Sequence, residues 1–193
     1  MSLELLIGPM FAGKSSAIQS IVRKHKALGW PIYVITHSLD TRYSSEPAIV
    51  NHDQHKIPAV SCEKLMTLLH TDEYRESRLV IVEEAQFFQD LIPFIHTVVD
   101  VDKKNAVVVG LDGDAARRPF GQILDLIPLC DRVTKMTAFC KQCADGTPAL
   151  FTFDNINRAE SHLGNPQVGG EERYSSLCRT HFLEGQRGSP TPL

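Results

Sequence analysis

Up to about residue 138, short runs of Val, Ile and Leu alternate with longer segments in which apolar residues recur every three or four positions. This alternation predicts an α/β fold in which crossover helices connect the strands of one sheet. Because the short runs are almost wholly apolar, we expect a mostly parallel sheet with helices flanking both faces. The predicted strands are Leu3–Ile7, Ile32–Thr36, Leu79–Val82, Ala106–Leu111 and Val133–Ala138.

Two amphipathic helices are predicted within this region. The first begins near Gly13 and ends before Gly29, a residue type suited to the left-handed conformation that follows a helix. The second follows Asp90 and tolerates Pro93 in its first turn. The apolar face of each has the three-to-four spacing of a helix: Ile18, Ile21, Val22, His25 and Leu28 in the first, and Leu91, Phe94, Ile95 and Val98 in the second.

The sequence changes character after Ala138, where turn-rich stretches hold only short β-like pieces such as Ala149–Phe153. We therefore predict a core domain over residues 1–138 and a small C-terminal module over residues 139–185. Residues 186–193 have no apolar period and are expected to form a disordered tail.

Composition narrows the class of protein. At 193 residues and 42% hydrophobic, the chain can bury one core and carry one small module. Its 20 basic and 23 acidic residues leave a net charge of -3, which argues against a nucleic-acid-coating protein. An odd count of five cysteines does not fit a disulfide framework. The chain opens on a strand without a leader pattern and has no run of roughly 18 apolar residues, so we expect a soluble, cytoplasmic protein without membrane or nucleic-acid partners.

Residues 8–15 match the phosphate-binding pattern G-x-x-x-x-G-K-[ST] at every fixed position. A predicted strand precedes the segment and a predicted helix follows it, which is the setting of a P-loop NTPase core. Lys14 is expected to reach the β- and γ-phosphates of ATP, and the Ser15 hydroxyl to ligate Mg²⁺. The predicted phosphate-binding residues are Gly8, Pro9, Met10, Phe11, Ala12, Gly13, Lys14 and Ser15.

Two carboxylates, Glu83 and Glu84, directly follow the strand Leu79–Val82. An acid at the end of a buried strand is where P-loop proteins hold the water shell of magnesium. Because neighbouring residues of an extended chain point to opposite faces, we expect one carboxylate to face the metal and the other the phosphate acceptor. Taken alone, the pair also fits a solvated start of a loop.

The C-terminal module carries two pairs of metal-ligand type, Cys140-x2-Cys143 and Cys178-x2-His181, with 34 residues between them. Four protein ligands of this kind predict a closed, structural Zn²⁺ site that stabilises a segment with little apolar surface. A C-x-x-C pair by itself also occurs as a redox motif, but the second pair disfavours that interpretation.

Seven segments in order resemble the zinc-containing type II thymidine kinases of cytosols, bacteria and large DNA viruses. They are GPMFAGKSS (8–16), DTRY (40–43), HD (52–53), EEAQFF (83–88), LDGDAARRPFG (111–121), TAFCKQC (137–143) and VGGEERYSSLC (168–178). The resemblance implies a kinase that transfers the γ-phosphate of ATP to the 5′-hydroxyl of thymidine, and of deoxyuridine, in pyrimidine salvage. It also implies a zinc-ribbon lasso for the C-terminal module, a homo-oligomer (dimer or tetramer) and feedback inhibition by thymidine triphosphate.

The resemblance also implies a role for individual residues. Glu84 would be the general base for the 5′-hydroxyl, and Arg42 would lie against the transferring phosphate together with Lys14. Glu83 and Asp40 would join Ser15 at the magnesium. The implied nucleoside-binding residues are Met10, Asp40, Gln86, Phe87, Leu111, Phe120, Thr152, Val168, Gly169, Gly170 and Tyr174.

Two other functions fit parts of the sequence. A P-loop ATPase whose C-terminal module binds DNA or RNA would share the phosphate-binding segment 8–15. However, the sequence shows no cluster of basic and aromatic residues of the kind that binds nucleic acid. A catalytically inactive sensor would be consistent with Glu83 and Ala115, where the family commonly has aspartate and an aromatic residue. His181 also departs from the family, which usually has a fourth cysteine there. The apolar members of the nucleoside set also fit an ordinary core.

Overall fold

The computed structural model describes residues 1–39, 48–50, 56–156 and 169–187 of the chain. Their helices and strands are β1 (Ser2–Ile7), α1 (Lys14–Ala27), β2 (Ile32–His37), β3 (Ala48–Val50), β4 (Lys56–Pro58), β5 (Val60–Cys62), α2 (Asp72–Glu76), β6 (Leu79–Val82), α3 (Leu91–His96), β7 (Asn105–Gly110), β8 (Arg132–Lys135), β9 (Ala138–Phe139), β10 (Pro148–Ala149), β11 (Phe151–Asp154), β12 (Tyr174–Leu177) and α4 (Arg179–Arg187). Short 3₁₀ helices span Leu65–His70, Ala85–Phe87 and Ile123–Leu129, and a π-helical turn spans Thr97–Val101.

A six-stranded sheet in the order β5-β2-β6-β7-β1-β8 forms the centre of the molecule, and all of its neighbouring strands are parallel. Alternate residues of the four inner strands enter different cores. In β6, Ile81 packs against α1, whereas Val80 and Val82 pack on the opposite face with α3. The predicted α/β class with a mostly parallel sheet is therefore confirmed.

The sequence located four of the central strands to within one residue, and the differences lie at the two sheet edges. Val133–Ala138 was predicted as one strand, but β8 ends at Lys135 and Ala138 belongs to β9, which pairs with β10 outside the sheet. The edge strand β5 was missed because it has only three residues and therefore no apolar run. Of these residues only Cys62 is half-buried.

The predicted helices are confirmed except at one end. Helix α1 begins at Lys14 and buries Ile18 and Val22, and Gly29 follows it with a left-handed φ of 69°. Leu28 was predicted on the buried face, but the helix ends at Ala27 and the Leu28 side chain is 69% exposed. After Asp90, the four predicted apolar residues are all buried, the last of them in the π-helical turn.

Three adjacent strands bring the candidate site together. In the sheet, β6, β7 and β1 are neighbours, so their carboxyl ends meet at one edge. The phosphate-binding segment follows β1, Glu83 follows β6, and Leu111 follows β7. In open parallel sheets this edge is where ligands bind.

The C-terminal module consists of two antiparallel pairs, β9–β10 and β11–β12, and helix α4. Its core contains Phe182, Leu177 and two of the cysteines, and it also includes Ala12 of the phosphate-binding segment. Helix α4 continues through Gln186 and Arg187, which the sequence had suggested would start the disordered tail. The rest of that tail lies outside the described residues. In the part of the chain that the structure describes, no helix is long and apolar enough to cross a membrane.

Gly121 is expected to tolerate no side chain. Its φ is 61°, and a Cβ there would overlap the backbone carbonyl oxygen of Gln86. We expect Gly121→Ala to lower the free energy of unfolding by about 2–5 kcal/mol, from left-handed strain and overpacking together. Gly146→Ala is the matched control, because its φ is 90° and nothing lies within 4 Å of the added Cβ. Urea denaturation of both variants measures the difference, and equal losses would contradict the packing argument.

Candidate active site and metal centre

The segment between β1 and α1 folds as a tight loop at the edge of the sheet. Gly8 lies so close to the backbone of Met136 that a Cβ would overlap its carbonyl oxygen, and Gly13 takes a left-handed φ of 76° just before the helix. The ammonium group of Lys14 donates to the carbonyl oxygens of Gly8 (3.1 Å) and Pro9 (2.7 Å). The positive charge of Lys14 therefore lies beside the loop, which is followed by the N-terminus of the 14-residue helix α1. Both the charge and the helix N-terminus favour binding of a phosphate there.

Glu83 and Ser15 meet beside this loop. The Ser15 hydroxyl donates to Oε1 of Glu83 at 2.7 Å, and the Glu83 side chain is buried. A hydroxyl and a carboxylate are both oxygen ligands of the kind that Mg²⁺ prefers, and it commonly binds one or two such groups together with substrate phosphates. The residues present therefore fit a magnesium ion that accompanies a nucleotide.

Glu84 starts a sharp turn out of the sheet. Its φ and ψ are 52° and 38°, a left-handed conformation that is uncommon for residues other than glycine and that clusters at functional sites. The turn leads into the 3₁₀ helix Ala85–Phe87 and separates the two carboxylates. Glu83 remains buried against the phosphate-binding loop, while Glu84 is partly exposed.

The side chain of Gln86 forms a hydrogen bond with the Glu84 carboxylate. Its amide nitrogen donates to Oε2 of Glu84, and its amide oxygen accepts from the backbone N–H of Leu111 at 3.0 Å. The side chain is only 1% exposed, and a Cβ on Gly110 would overlap its amide oxygen. Both ends of the Gln86 amide thus bond to the protein, and its predicted contact with a nucleoside stays a prediction.

The two aromatic residues predicted to wall a nucleoside meet at the turn that Glu84 starts. Phe87 and Phe120 are half-buried, and their rings meet edge to face at 5.5 Å. Leu111 is also half-buried, whereas Met10 is buried. Thr152 is buried as well, and its hydroxyl accepts from the Met10 N–H at 3.0 Å. The structure thus groups Phe87 and Phe120, and separately Met10 and Thr152.

His37, at the end of β2, was not identified from the sequence. Its ring lies 4.6 Å from that of Phe88 and 5.6 Å from that of Phe87, and its Nδ1 accepts from the N–H of Leu39. Burial lowers its pKa below the ordinary value of 6.5, against the opposing influence of Glu63, Asp90 and Glu84. The only signal in the sequence was a lone polar residue at the end of a strand.

The lowered pKa of His37 predicts a loss of stability in mild acid. Above pH 6.5 the imidazole is neutral in both states, and below it the unfolded chain takes up a proton that the folded protein resists. Stability is therefore lost as the pH falls from 6.5 toward the lower pKa of the folded state. We expect His37→Gln to reduce the difference in urea midpoint between pH 7.5 and about pH 5.5. The same change at exposed His70 should leave that difference as it is, and an unchanged difference in His37→Gln would contradict the prediction.

Of the residues of the C-terminal module that were predicted to close over a nucleoside, Gly169, Gly170 and Tyr174 form one turn. The N–H groups of Arg173 and Tyr174 both donate to the carbonyl oxygen of Gly170, and Gly169 lies against the Tyr174 ring. The Arg173 guanidinium lies 5.3 Å from the centre of that ring and bonds to buried Asp154 at 2.8 Å. The remaining predicted residues, Asp40, Arg42 and Val168, lie outside the described residues.

A hollow of about 200 Å³ lies between this module and the core. Its described walls include Pro9 and Thr152, the loop 112–114 and the ion pair of Lys135 with Asp112. Arg117, with a left-handed φ of 64°, borders the hollow and lies 4.8 Å from the ring centre of Phe182. Arg117 thus connects the 111–121 loop to the module, which its position in the sequence did not indicate.

The four predicted metal ligands form one cluster, with all ligand atoms within 4.8 Å of one another. The Nδ1 atom of His181 is 3.5, 3.3 and 3.4 Å from the sulfur atoms of Cys140, Cys143 and Cys178, and the last two sulfurs are 3.8 Å apart. A tetrahedral zinc ion with ordinary bond lengths requires about 3.6 Å between nitrogen and sulfur and about 3.8 Å between sulfurs. The cluster therefore fits Zn²⁺.

The thiol chemistry of the cluster also fits a cation. Burial alone would raise the pKa of Cys140, but hydrogen bonds from the backbone N–H groups of Cys178 and Cys143 lower it to about 6. Burial and the neighbouring thiols raise the pKa of Cys143 to about 11. A thiolate at one cysteine therefore disfavours ionisation of its neighbour, because the two negative charges repel. A bound metal cation would offset that repulsion. The Nε2 atom of His181 faces Glu184 Oε2 at 4.0 Å.

Comparison with known proteins adds the family context. The family model described as "Thymidine kinase" matches residues 1–182 of the chain. A thymidine kinase of Oryza sativa subsp. japonica is 38% identical over 188 residues, covering 95% of this chain and 67% of the relative. The cytosolic thymidine kinase of Homo sapiens is 32% identical over 97% of this chain and 76% of its own length. For the thymidine kinase of Variola virus the identity is 32%, over 94% of this chain and 97% of the relative.

Proposed function

The chain belongs to the thymidine kinase family, and from that premise we propose that it transfers the γ-phosphoryl group of ATP to the 5′-hydroxyl of thymidine. The observation that carries the proposal is the hydrogen bond of Ser15 to Glu83 beside the phosphate-binding loop, with Glu84 next in the chain. This pairing supports a magnesium–nucleotide site on one side of the turn. The second carboxylate, Glu84, is then assigned to the hydroxyl group that accepts the phosphate.

Glu84 is the proposed general base. It accepts the proton of the 5′-hydroxyl while that oxygen bonds to the γ-phosphorus and the bond from phosphorus to the ADP oxygen breaks. Its partner Gln86 supports this role, because it fixes one carboxylate oxygen from the protein side. A carboxylate held in advance needs less reorganisation when the reaction occurs.

The phosphates are assigned to the loop 8–15, which includes Lys14, and to Arg42. The positive charges of Lys14 and Arg42 suit a transition state in which negative charge is spread over the phosphoryl oxygens. Ser15, Glu83 and Asp40 would hold the magnesium ion that accompanies ATP, and the ion would supply positive charge to the β- and γ-phosphates. The chain's own part is to keep the Glu83 carboxylate buried and oriented by the Ser15 hydroxyl.

The nucleoside is assigned to the half-buried pair Phe87 and Phe120, to Leu111, and to the turn of Gly169, Gly170 and Tyr174. Together these would form the walls and lid of a site that excludes water, which limits wasteful ATP hydrolysis. Deoxyuridine is a proposed second substrate. The homo-oligomer and inhibition by thymidine triphosphate are proposed from family membership alone.

The test is the dependence of ADP formation on nucleoside. With MgATP and the full chain, we expect ADP release in a coupled assay to rise with thymidine and to match the thymidine monophosphate formed. A panel of nucleosides should show the same dependence for deoxyuridine and little for purine nucleosides. ADP release at one rate with and without nucleoside would overturn the proposal.

A further inference from the structure

The backbone of Met10, within the phosphate-binding loop, is bonded on both sides by the C-terminal module. Its N–H donates to the Thr152 hydroxyl at 3.0 Å, and its carbonyl oxygen accepts from the Ser176 hydroxyl at 3.2 Å. Thr152 and Ser176 face each other across the β11–β12 pair. One cross-strand pair thus presents two hydroxyls to one residue of the loop.

These bonds are shielded from water. Met10, Thr152 and Ser176 are 8%, 5% and 4% exposed, so water cannot readily replace a lost partner. Removing a hydroxyl would leave a buried backbone group unsatisfied, which is more costly than losing an exposed hydrogen bond. The arrangement therefore favours one conformation of the loop at Met10.

The same strand leads directly to the metal cluster. Cys178 lies two residues after Ser176, and the intervening Leu177 is buried in the core of the module. Ala12 of the loop packs into that core beside Cys140 and Cys178. A continuous path of buried contacts therefore runs from two metal ligands through β12 to the phosphate-binding loop.

We propose that the metal-held pair β11–β12 fixes the phosphate-binding loop through Met10, so that metal binding and nucleotide binding strengthen each other. The inference rests on the proposed function in taking the loop 8–15 as the ATP site. Because coupling between two binding sites is reciprocal, a bound nucleotide must retain the metal as strongly as the metal favours the nucleotide. Thr152 and Ser176 are positioning residues in this account, acting on phosphates through Met10.

The test uses MgADP, without nucleoside, on the full zinc-loaded chain. We expect the double variant Thr152→Val, Ser176→Ala to bind MgADP about 10-fold to 100-fold more weakly by calorimetry, because two buried hydrogen bonds are lost. Ser175→Ala is the matched control. Ser175 is the adjacent buried residue of β12, and its hydroxyl bonds to Asn155 rather than to the loop. Thr152→Ser retains the hydroxyl and should bind nearly as wild type.

A second measurement follows the release of zinc. Saturating MgADP is expected to slow the transfer of zinc from the wild-type protein to a chelator, and to slow it less in the double variant. No protection in wild type that binds MgADP, or equal MgADP affinity in wild type and a folded double variant, would overturn the inference and leave the proposed function intact. A wild-type protein that does not bind MgADP would instead overturn the proposed function. If the double variant does not fold, Ser176→Ala alone provides the affinity comparison.

Discussion

Glu84→Gln is expected to lower kcat for thymidine phosphorylation by about 10²–10⁴-fold, the usual contribution of a general base. Glutamine keeps the size of the side chain, and its amide oxygen can still accept from Gln86, as the Glu84 carboxylate does. The left-handed turn and the link to Leu111 should therefore remain. What is lost is the ability to take the proton of the 5′-hydroxyl, so nucleoside binding measured by calorimetry should change little.

The control is Glu76→Gln, an exposed carboxylate in α2 with the same change of charge. It should leave kcat unaltered, which separates loss of a base from loss of one negative charge. The pH profile adds a second readout, because the acidic limb of kcat in wild type should be absent in Glu84→Gln. A variant that keeps wild-type kcat would exclude Glu84 as the base, and one that binds no thymidine would point instead to a binding role.

The sequence was most informative where a local pattern and a tertiary environment coincide. The apolar run of β6 requires burial on both faces, so its end, and with it Glu83, had to lie at the edge of a parallel sheet. The phosphate-binding pattern after β1 placed Ser15 at the same edge. The proximity of Ser15 and Glu83 follows from these two facts, and so their hydrogen bond could be anticipated.

Contacts that depend on a turn or on distant partners could not be read from the chain. Nothing in the order Glu83-Glu84-Ala85 indicates that Glu84 turns left-handed, since glycine is the residue that usually marks such a position. The burial of Gln86 could not be anticipated, because Gly110 and Gly121, which approach it closely, lie 24 and 35 positions later. Burial lowers the pKa of His37, and the rings packed against it, Phe87 and Phe88, follow β6 rather than its own strand β2.

The packing of the C-terminal module on the phosphate-binding loop could not be predicted from the sequence either, for a different reason. Thr152 and Ser176 are small polar residues of short strands, a type that is found more often at the surface than in a core. They are buried because the β11–β12 pair lies on the phosphate-binding loop, 142 and 166 positions away in sequence from Met10. The change to turn-rich composition after Ala138 is visible in the sequence, whereas the contacts of Thr152 and Ser176 with Met10 are not.

Cys143→Ser is expected to abolish tight zinc binding and to unfold the C-terminal module while leaving the parallel sheet intact. The sulfur of Cys143 lies 3.3 Å from His181 Nδ1 and 3.8 Å from the sulfur of Cys178, so it is one of the four ligand atoms that would surround the ion. Zinc binding contributes on the order of 10–16 kcal/mol to the folding of small zinc domains. The core of this module is one small cluster around Phe182, which gives it little other stability. Metal analysis should find well under one zinc per chain.

Cys130→Ser is the matched control, because Cys130 is also a half-buried free cysteine but lies outside the cluster. It should retain one zinc per chain and the wild-type pattern of limited proteolysis. In Cys143→Ser, cleavage should begin within residues 139–185, and the fragment 1–138 should persist because its sheet and both flanking cores do not include the ligands. Ala12 and Met10 contact the module, so its unfolding should loosen the phosphate-binding loop. The affinity for MgADP should therefore fall in Cys143→Ser. A Cys143→Ser protein with full zinc content would show that the cluster does not hold the metal.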